Sequence, residues 1–122
     1  RNRDIAQGLS RIENKLSSAK IKRAVINCAT SGDNTIVAAV SGKQIKVIGL
    51  TIVPAAAVTA RFESGAGGTA LTGEMQLAAK DIFSLPPTNV GMHYFETAPG
   101  ALLNLELSGA TATDGFILYI VE

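Results

Sequence analysis

The chain has 122 residues, 47% hydrophobic, 17% charged and 5% aromatic, with one Cys, one His and no Trp. That is one ordinary domain's length with apolar mass for a core; a lone Cys excludes an intrachain disulfide or a cysteine zinc cluster, and a lone His excludes a multi-histidine metal site. The net charge of +1 hides an asymmetry, because residues 1–23 carry 7 − 2 = +5 and the remainder carries 4 − 8 = −4.

A basic arm on an acidic body calls for an electrostatic partner for the arm. Residues 4–18 hold the sustained helical period of the chain. Ile5, Leu9, Ile12 and Leu16 are spaced by 4, 3 and 4 and fall on one stripe of a helix. Asp4 is placed to cap its start, and Gly8 weakens it by about 1 kcal/mol relative to Ala. A helix this short is marginal alone, so its stripe needs a surface to lie on. Those four residues, with the cations Arg1, Arg3, Arg11 and Lys15, are the candidate assembly interface. Ser17 and Ser18 then loosen the chain, which divides it into an arm over residues 1–20 and a body over residues 21–122.

From Ile21 onward the pattern turns to short β runs near 21–29, 34–40, 43–53, 57–63, 70–77, 92–97, 101–108 and 114–121. Ser31-Gly32-Asp33-Asn34 reads as a turn, and Ser41-Gly42 as a tight hairpin link. Val58, Ala60 and Phe62 alternate with Thr59, Arg61 and Glu63; Leu103, Leu105 and Leu107 alternate with Asn104, Glu106 and Ser108. Each predicts a strand with one buried and one wet face. Gly115 to Val121 is apolar on both faces, which predicts a central strand or one packed on a partner. Residues 64–69, Ser-Gly-Ala-Gly-Gly-Thr, read as a hairpin end, and residues 84–91, with Pro86-Pro87, as a long crossing connection. About eight strands with regular turn signals predict an all-β antiparallel sandwich or jelly roll, preceded by the short helical arm.

The motifs of common chemistry are missing. His93 sits alone in a strand-like context, and Cys28 ends an apolar run as a small buried hydrophobe. The Gly65-Ala66-Gly67-Gly68 loop lacks the Lys and the following helix of a phosphate cradle. Glu63, Glu96, Glu106 and Asp114 are scattered at positions that read as solvated faces, and Asp33-Asn34 is a turn rather than a calcium loop. These absences predict a protein that is not an enzyme and uses no cofactor. The arm has no interleaved aromatics or base-reading module, so nucleic acid is the weaker partner for it. No apolar run reaches the roughly 20 residues of a membrane span, and no leader pattern stands at the N-terminus.

From residue 33 onward a composite of strand and turn signatures accumulates. It comprises Asn34-Thr35-Ile36-Val37-Ala38-Ala39-Val40, Gly42-Lys43 with Ile45 and Val47, Val58-Thr59, Phe62, and Ser64-Gly65. It continues through Thr69-Ala70-Leu71-Thr72-Gly73, Phe95-Glu96-Thr97-Ala98, Gly100, Leu103-Asn104-Leu105 and Leu107-Ser108-Gly109. This resembles the short β-sandwich virion proteins encoded in the structural-gene regions of tailed bacteriophages. Such proteins are associated with capsid decoration (cement) or with head and tail fibres. The resemblance implies a location in the phage particle, at the head, and a homotrimer in contact with the major capsid protein or another virion protein. It carries over no catalytic residue. The alternatives are a fibre or receptor-binding module that grips carbohydrate with its loop ends, and a protein whose basic arm binds nucleic acid.

Overall fold

The computed structural model describes residues 21–88 and 92–122. The expected helix over 4–18, and with it Ile5, Leu9, Ile12, Leu16, Arg1, Arg3, Arg11 and Lys15, lies outside the described residues.

The described chain is all β. Its ten strands are β1 (Lys22–Cys28), β2 (Gly32–Val37), β3 (Ile45–Pro54), β4 (Val58–Ser64), β5 (Thr69–Ala70), β6 (Met75–Leu77), β7 (Phe83–Leu85), β8 (Phe95–Glu96), β9 (Leu103–Leu107) and β10 (Thr113–Val121). They form two antiparallel sheets. Sheet A has the order β1-β10-β3-β7, with β8 also on β3; sheet B has the order β2-β9-β4-β5, with β6 also on β4. Successive early strands alternate between the sheets. The two edge strands are interrupted rather than doubled: β5 and β6 are separated by residues 71–74, and β7 and β8 by residues 86–94. Counted once each, they leave eight strands, four to a sheet.

The inward faces share one core. Sheet A contributes Ile26, Cys28, Ile45, Val47, Leu50, Ile52 and Ile117, and sheet B contributes Val37, Val58, Ala60, Phe62, Leu103, Leu105 and Leu107. The rings of Phe62 and Phe95 meet across the gap at 5.4 Å and 37°, within the range where aromatic pairs add to burial. Burial pushes the Cys28 thiol above its ordinary pKa; the neighbouring Asn27 amide opposes this and Asp114 adds to it. Cys28 is therefore a protonated core residue.

Period-2 alternation holds in β4 and β9, where Val58, Ala60, Phe62, Leu103, Leu105 and Leu107 are all buried. It breaks in β3. Ile45 and Val47 are at odd positions, Leu50 and Ile52 at even ones, yet all four reach the core. A register shift against β10, between Leu118 and Tyr119, places the pairs Tyr119↔Val47 and Leu118↔Gly49 in succession. The extra residue, Ile48, is a bulge that flips the phase of the strand. Strand β10 lies between β1 and β3, the central position that its two-faced apolar run predicts.

Five local expectations are corrected, the first being Asp33-Asn34, which is not a turn but part of β2, paired with Glu106 and Leu105. Ser41-Gly42 is not a hairpin link, because β2 and β3 belong to different sheets; it is a turn closed by Lys43 N–H to Val40 O at 3.0 Å on the way across the sandwich. The run 70–77 is two short pieces rather than one strand. The crossing connection begins later than expected, because Phe83, Ser84 and Leu85 first pair with β3. The strand over 92–97 shortens to Phe95–Glu96.

Candidate functional site

With the core filled by both inner faces, function falls to the two outer faces, and these differ in chemistry. The outer face of sheet B is polar. Alternation aims Arg61 and Glu63 from β4, Asn104 and Glu106 from β9, and Asp33 from β2 to the same side, and the register sets Arg61 opposite Glu106 and Glu63 opposite Asn104. Arg61 Nη2 donates to Glu63 Oε2 at 2.5 Å and to Glu106 Oε2 at 2.8 Å. Asn104 Nδ2 donates to Glu63 Oε1 at 2.8 Å and to Asp33 Oδ1 at 2.9 Å. Glu74 adds a looser ion pair to Arg61 at 3.7 Å.

This overturns the reading of Glu63 as a solvated carboxylate, since its side chain is 1% exposed. The hairpin turn after β4 brings the chain back beside it. Gly65 and Gly67 there have φ of +83° and +65°, and a Cβ on Gly68 would stand 1.9 Å from Ser64 O. Glu63 is the buried hub of a network spanning three strands.

The two glutamates titrate in opposite directions. Burial pushes Glu63 up, but hydrogen bonds with Glu106, Arg61 and Asn104 outweigh it and leave the pKa below the usual carboxylate value. Glu106 is raised, chiefly because it shares a hydrogen bond with Glu63, while Arg61 pulls it down and desolvation pushes it up. Such a divided pair is what acid–base chemistry uses. Here the space beside it, lined by Thr59, Arg61, Glu74, Glu106 and Ser108, amounts to about 40 Å³, room for a few waters rather than a substrate. Asp33, Glu63 and Glu106 also bring carboxylate oxygens within 4.8 Å of one another. Between them stand a guanidinium and an amide N–H group, which already supply the positive partners those oxygens need.

The outer face of sheet A is mixed, with Val25, Phe116 and Leu118 standing among Arg23, Asn27, Thr51, Ser84 and Asp114. Cross-strand register places Val25 beside Phe116, Phe116 beside Thr51, and Thr51 beside Ser84 in one row. In the row above, Leu118 pairs with Gly49, and the edge excursion presses on Gly49, where a Cβ would stand 3.2 Å from Pro87 Cα. In the row below, Asp114 pairs with Val53. Val25 is 71% exposed, Phe116 41%, and Ile82, just before β7, 72%. Ile21, where the described chain begins, leads directly into β1, the edge strand of this sheet. The alternation of β1 hinted at this face, but the pairing of Val25 with Phe116 needed the register.

Lesser features sit at the rim. His93 Nε2 lies 3.3 Å from Glu96 Oε2 in the excursion that returns to β8, and Tyr94 Oη donates to Pro86 O at 2.7 Å to close that excursion. A shallow depression of about 270 Å³ is lined by Gln44, Ser64, Thr69, Glu96 and Thr97. Three of these residues already serve the backbone, with Gln44 Nε2 donating to Thr97 O, Ile45 N–H to Thr97 Oγ1 and Ala98 N–H to Ser64 Oγ. No helix among the described residues is long and apolar enough to cross a membrane. Comparison with protein-family models, with curated proteins and with solved structures returned no match to this chain.

Proposed function

We propose that this chain is a non-catalytic structural protein of a phage particle, a capsid decoration (cement) protein that stabilises the head shell. It acts as a homotrimer whose basic N-terminal arm and outer sheet A face meet the major capsid protein. One observation carries the reading: the apolar row of Val25 and Phe116 is open on the side of the body where the arm joins. Exposed apolar patches of this kind mark surfaces that are covered in an assembly. The opposite face is closed by its own salt-bridge network and asks for no partner.

The strand order supports the same reading. With the interrupted edges counted once, the alternation of strands between sheets is that of a jelly roll, an architecture that includes viral capsid domains. The same architecture also serves lectins and other proteins, so the order supports the surface and does not replace it. The sequence resemblance then points the assembly to a phage head.

The test is binding of the purified chain to undecorated heads of the phage that encodes it. Binding that saturates, and that is weakened at least about tenfold by the double substitution Leu9→Ser and Ile12→Ser, is the expected result. Circular dichroism should show the β body unchanged in that variant. Absence of binding, or of the chain from purified particles, sinks the proposal.

A further inference from the structure

We infer that the buried carboxylate of Glu63 is an acid-operated latch, which holds edge strand β2 and the turn over residues 64–69 onto sheet B and frees them when it is neutralised. This goes beyond the virion reading and does not depend on it. The latch lies on the polar side of the body and leaves the sheet A face open.

Strand β2 needs such a hold. Its one strand neighbour among the described residues is β9, and their ladder shifts register between Thr35 and Val37. An edge strand on a bulged ladder stands at the low end of local stability. Side chains add a second attachment. Asp33 Oδ1 accepts from Asn104 Nδ2 at 2.9 Å and from Gly67 N–H at 3.3 Å. One carboxylate thus joins β2, β9 and the turn after β4. Asn104 is held in turn by Glu63, whose Oε1 accepts from the same Nδ2 at 2.8 Å. Glu63 Oε2 accepts from Arg61 Nε at 3.0 Å and from Nη2 at 2.5 Å. Both oxygens of the hub are acceptors, a role that the anion alone fills on both sides. A protonated hub sets its own O–H against Arg61 or against Asn104 Nδ2, and both of these are donors. The Asn104 amide then withdraws, and Asp33 loses its partner in the sheet.

The charges around Glu63 come from every neighbouring element. Arg61 stands on its own strand, Glu106 on β9 and Asp33 on β2, and Glu74, between β5 and β6, reaches Arg61. Burial pushes the Glu63 pKa up, and hydrogen bonds with Glu106, Arg61 and Asn104 more than reverse this. Glu106 is raised, chiefly by its hydrogen bond with Glu63. It therefore takes the first proton as pH falls and donates it to the Glu63 anion. The pair titrates in two steps. The latch survives the first and opens at the second, as pH falls through the lowered pKa of Glu63. Acid loosens the β2 side of sheet B while the β1–β10 ladder, paired without a register shift, stays closed.

Hydrogen exchange of the full chain, resolved by residue and divided by the intrinsic rate at each pH, tests the latch. At neutral pH, Glu63→Gln puts an amide donor where the anion stood. It should lower the protection of Gly67 and of β2 at least about tenfold, and that of β1 by less than about twofold. Glu74→Gln, which removes a looser partner of Arg61 outside the relay, should leave β2 unchanged. Equal losses in β1 and β2 overturn the inference, as does β2 unmoved by Glu63→Gln or loosened as much by Glu74→Gln. The native chain gives a second measurement that needs no variant. Protection of β2 and Gly67 should fall with the same pH midpoint as the Glu63 carboxyl carbon followed by NMR. A midpoint that follows the Asp33 carboxyl carbon instead rejects the relay, because the tether would then release at its own end.

Discussion

Gly115 shows how one residue sets the ladder on which the outer face of sheet A is built. It lies in β10 with φ +155°, and a Cβ there would stand 1.8 Å from Thr51 O and 2.8 Å from Thr51 C. The obstacle is backbone of the paired strand, so it cannot step aside. Gly115→Ala should cost about 3 kcal/mol in chemical denaturation. Gly73→Ala is the control, because a Cβ on Gly73 meets nothing within 4 Å; it should change stability by less than about 1 kcal/mol. Equal effects would contradict the close approach of β10 and β3. The glutamate pair gives the second prediction at this scale. Glu106 has a raised pKa in the fold. Its contribution to stability is therefore fully present below its unfolded value and lost as pH rises through the folded value. Glu63 is depressed, so its contribution is present above the unfolded value and lost as pH falls through the folded one. Glu106→Gln should gain thermal stability relative to the native chain as pH rises from the ordinary carboxylate range to neutrality. Glu63→Gln should lose stability over the same range. Melting curves between pH 4 and pH 8 read both, and parallel behaviour of the two variants would refute the division. The network also has a cost, because Asn104 Oδ1 is buried without a hydrogen-bond partner.

At the scale of elements, what could be read ahead of the structure follows from alternation. Val58, Ala60 and Phe62, and Leu103, Leu105 and Leu107, keep strict period 2 because β4 pairs with β6 and β9 without a bulge and the shift in the β2–β9 ladder falls on β2, so their inward faces were legible. The phase of β3 was not, since Ile48 is an extra residue whose presence depends on the partner strand. Ser41-Gly42 has the chemistry of a turn, and Gly42 does take φ +70°. Whether a turn joins neighbours in one sheet or crosses between sheets is decided by long-range pairing, which no dipeptide encodes. The arm's stripe is plain in the sequence and lies outside the described residues. Strand position also sets local stability. Amides of β10 and β3, central in sheet A and paired along long registers, should exchange at least about a hundredfold more slowly than those of β5 and β6, the pieces of an interrupted edge. Hydrogen exchange resolved by residue checks this, and equal protection would contradict the assigned sheet order.

The whole molecule is a body with two unlike sides. Sheet B turns outward a network in which Glu63, Glu74 and Glu106 surround Arg61 and Asn104 ties in Asp33, and sheet A turns outward the exposed Val25 and Phe116. Composition gives a charge difference between residues 1–23 and the rest, which does not distinguish the two faces of the body. Glu63 and Asn104 were invisible as a hub, because alternation alone places both on a wet face and their burial comes from the hairpin turn and the neighbouring strands. If the proposed virion role holds, a reconstruction of the phage particle tests the assembly reading most directly. It should show density for the sandwich on the outside of the head shell, with sheet A and the arm toward the major capsid protein and the Arg61–Glu63 face toward solvent. A head without this density, or a chain placed with sheet B against the shell, would contradict the account.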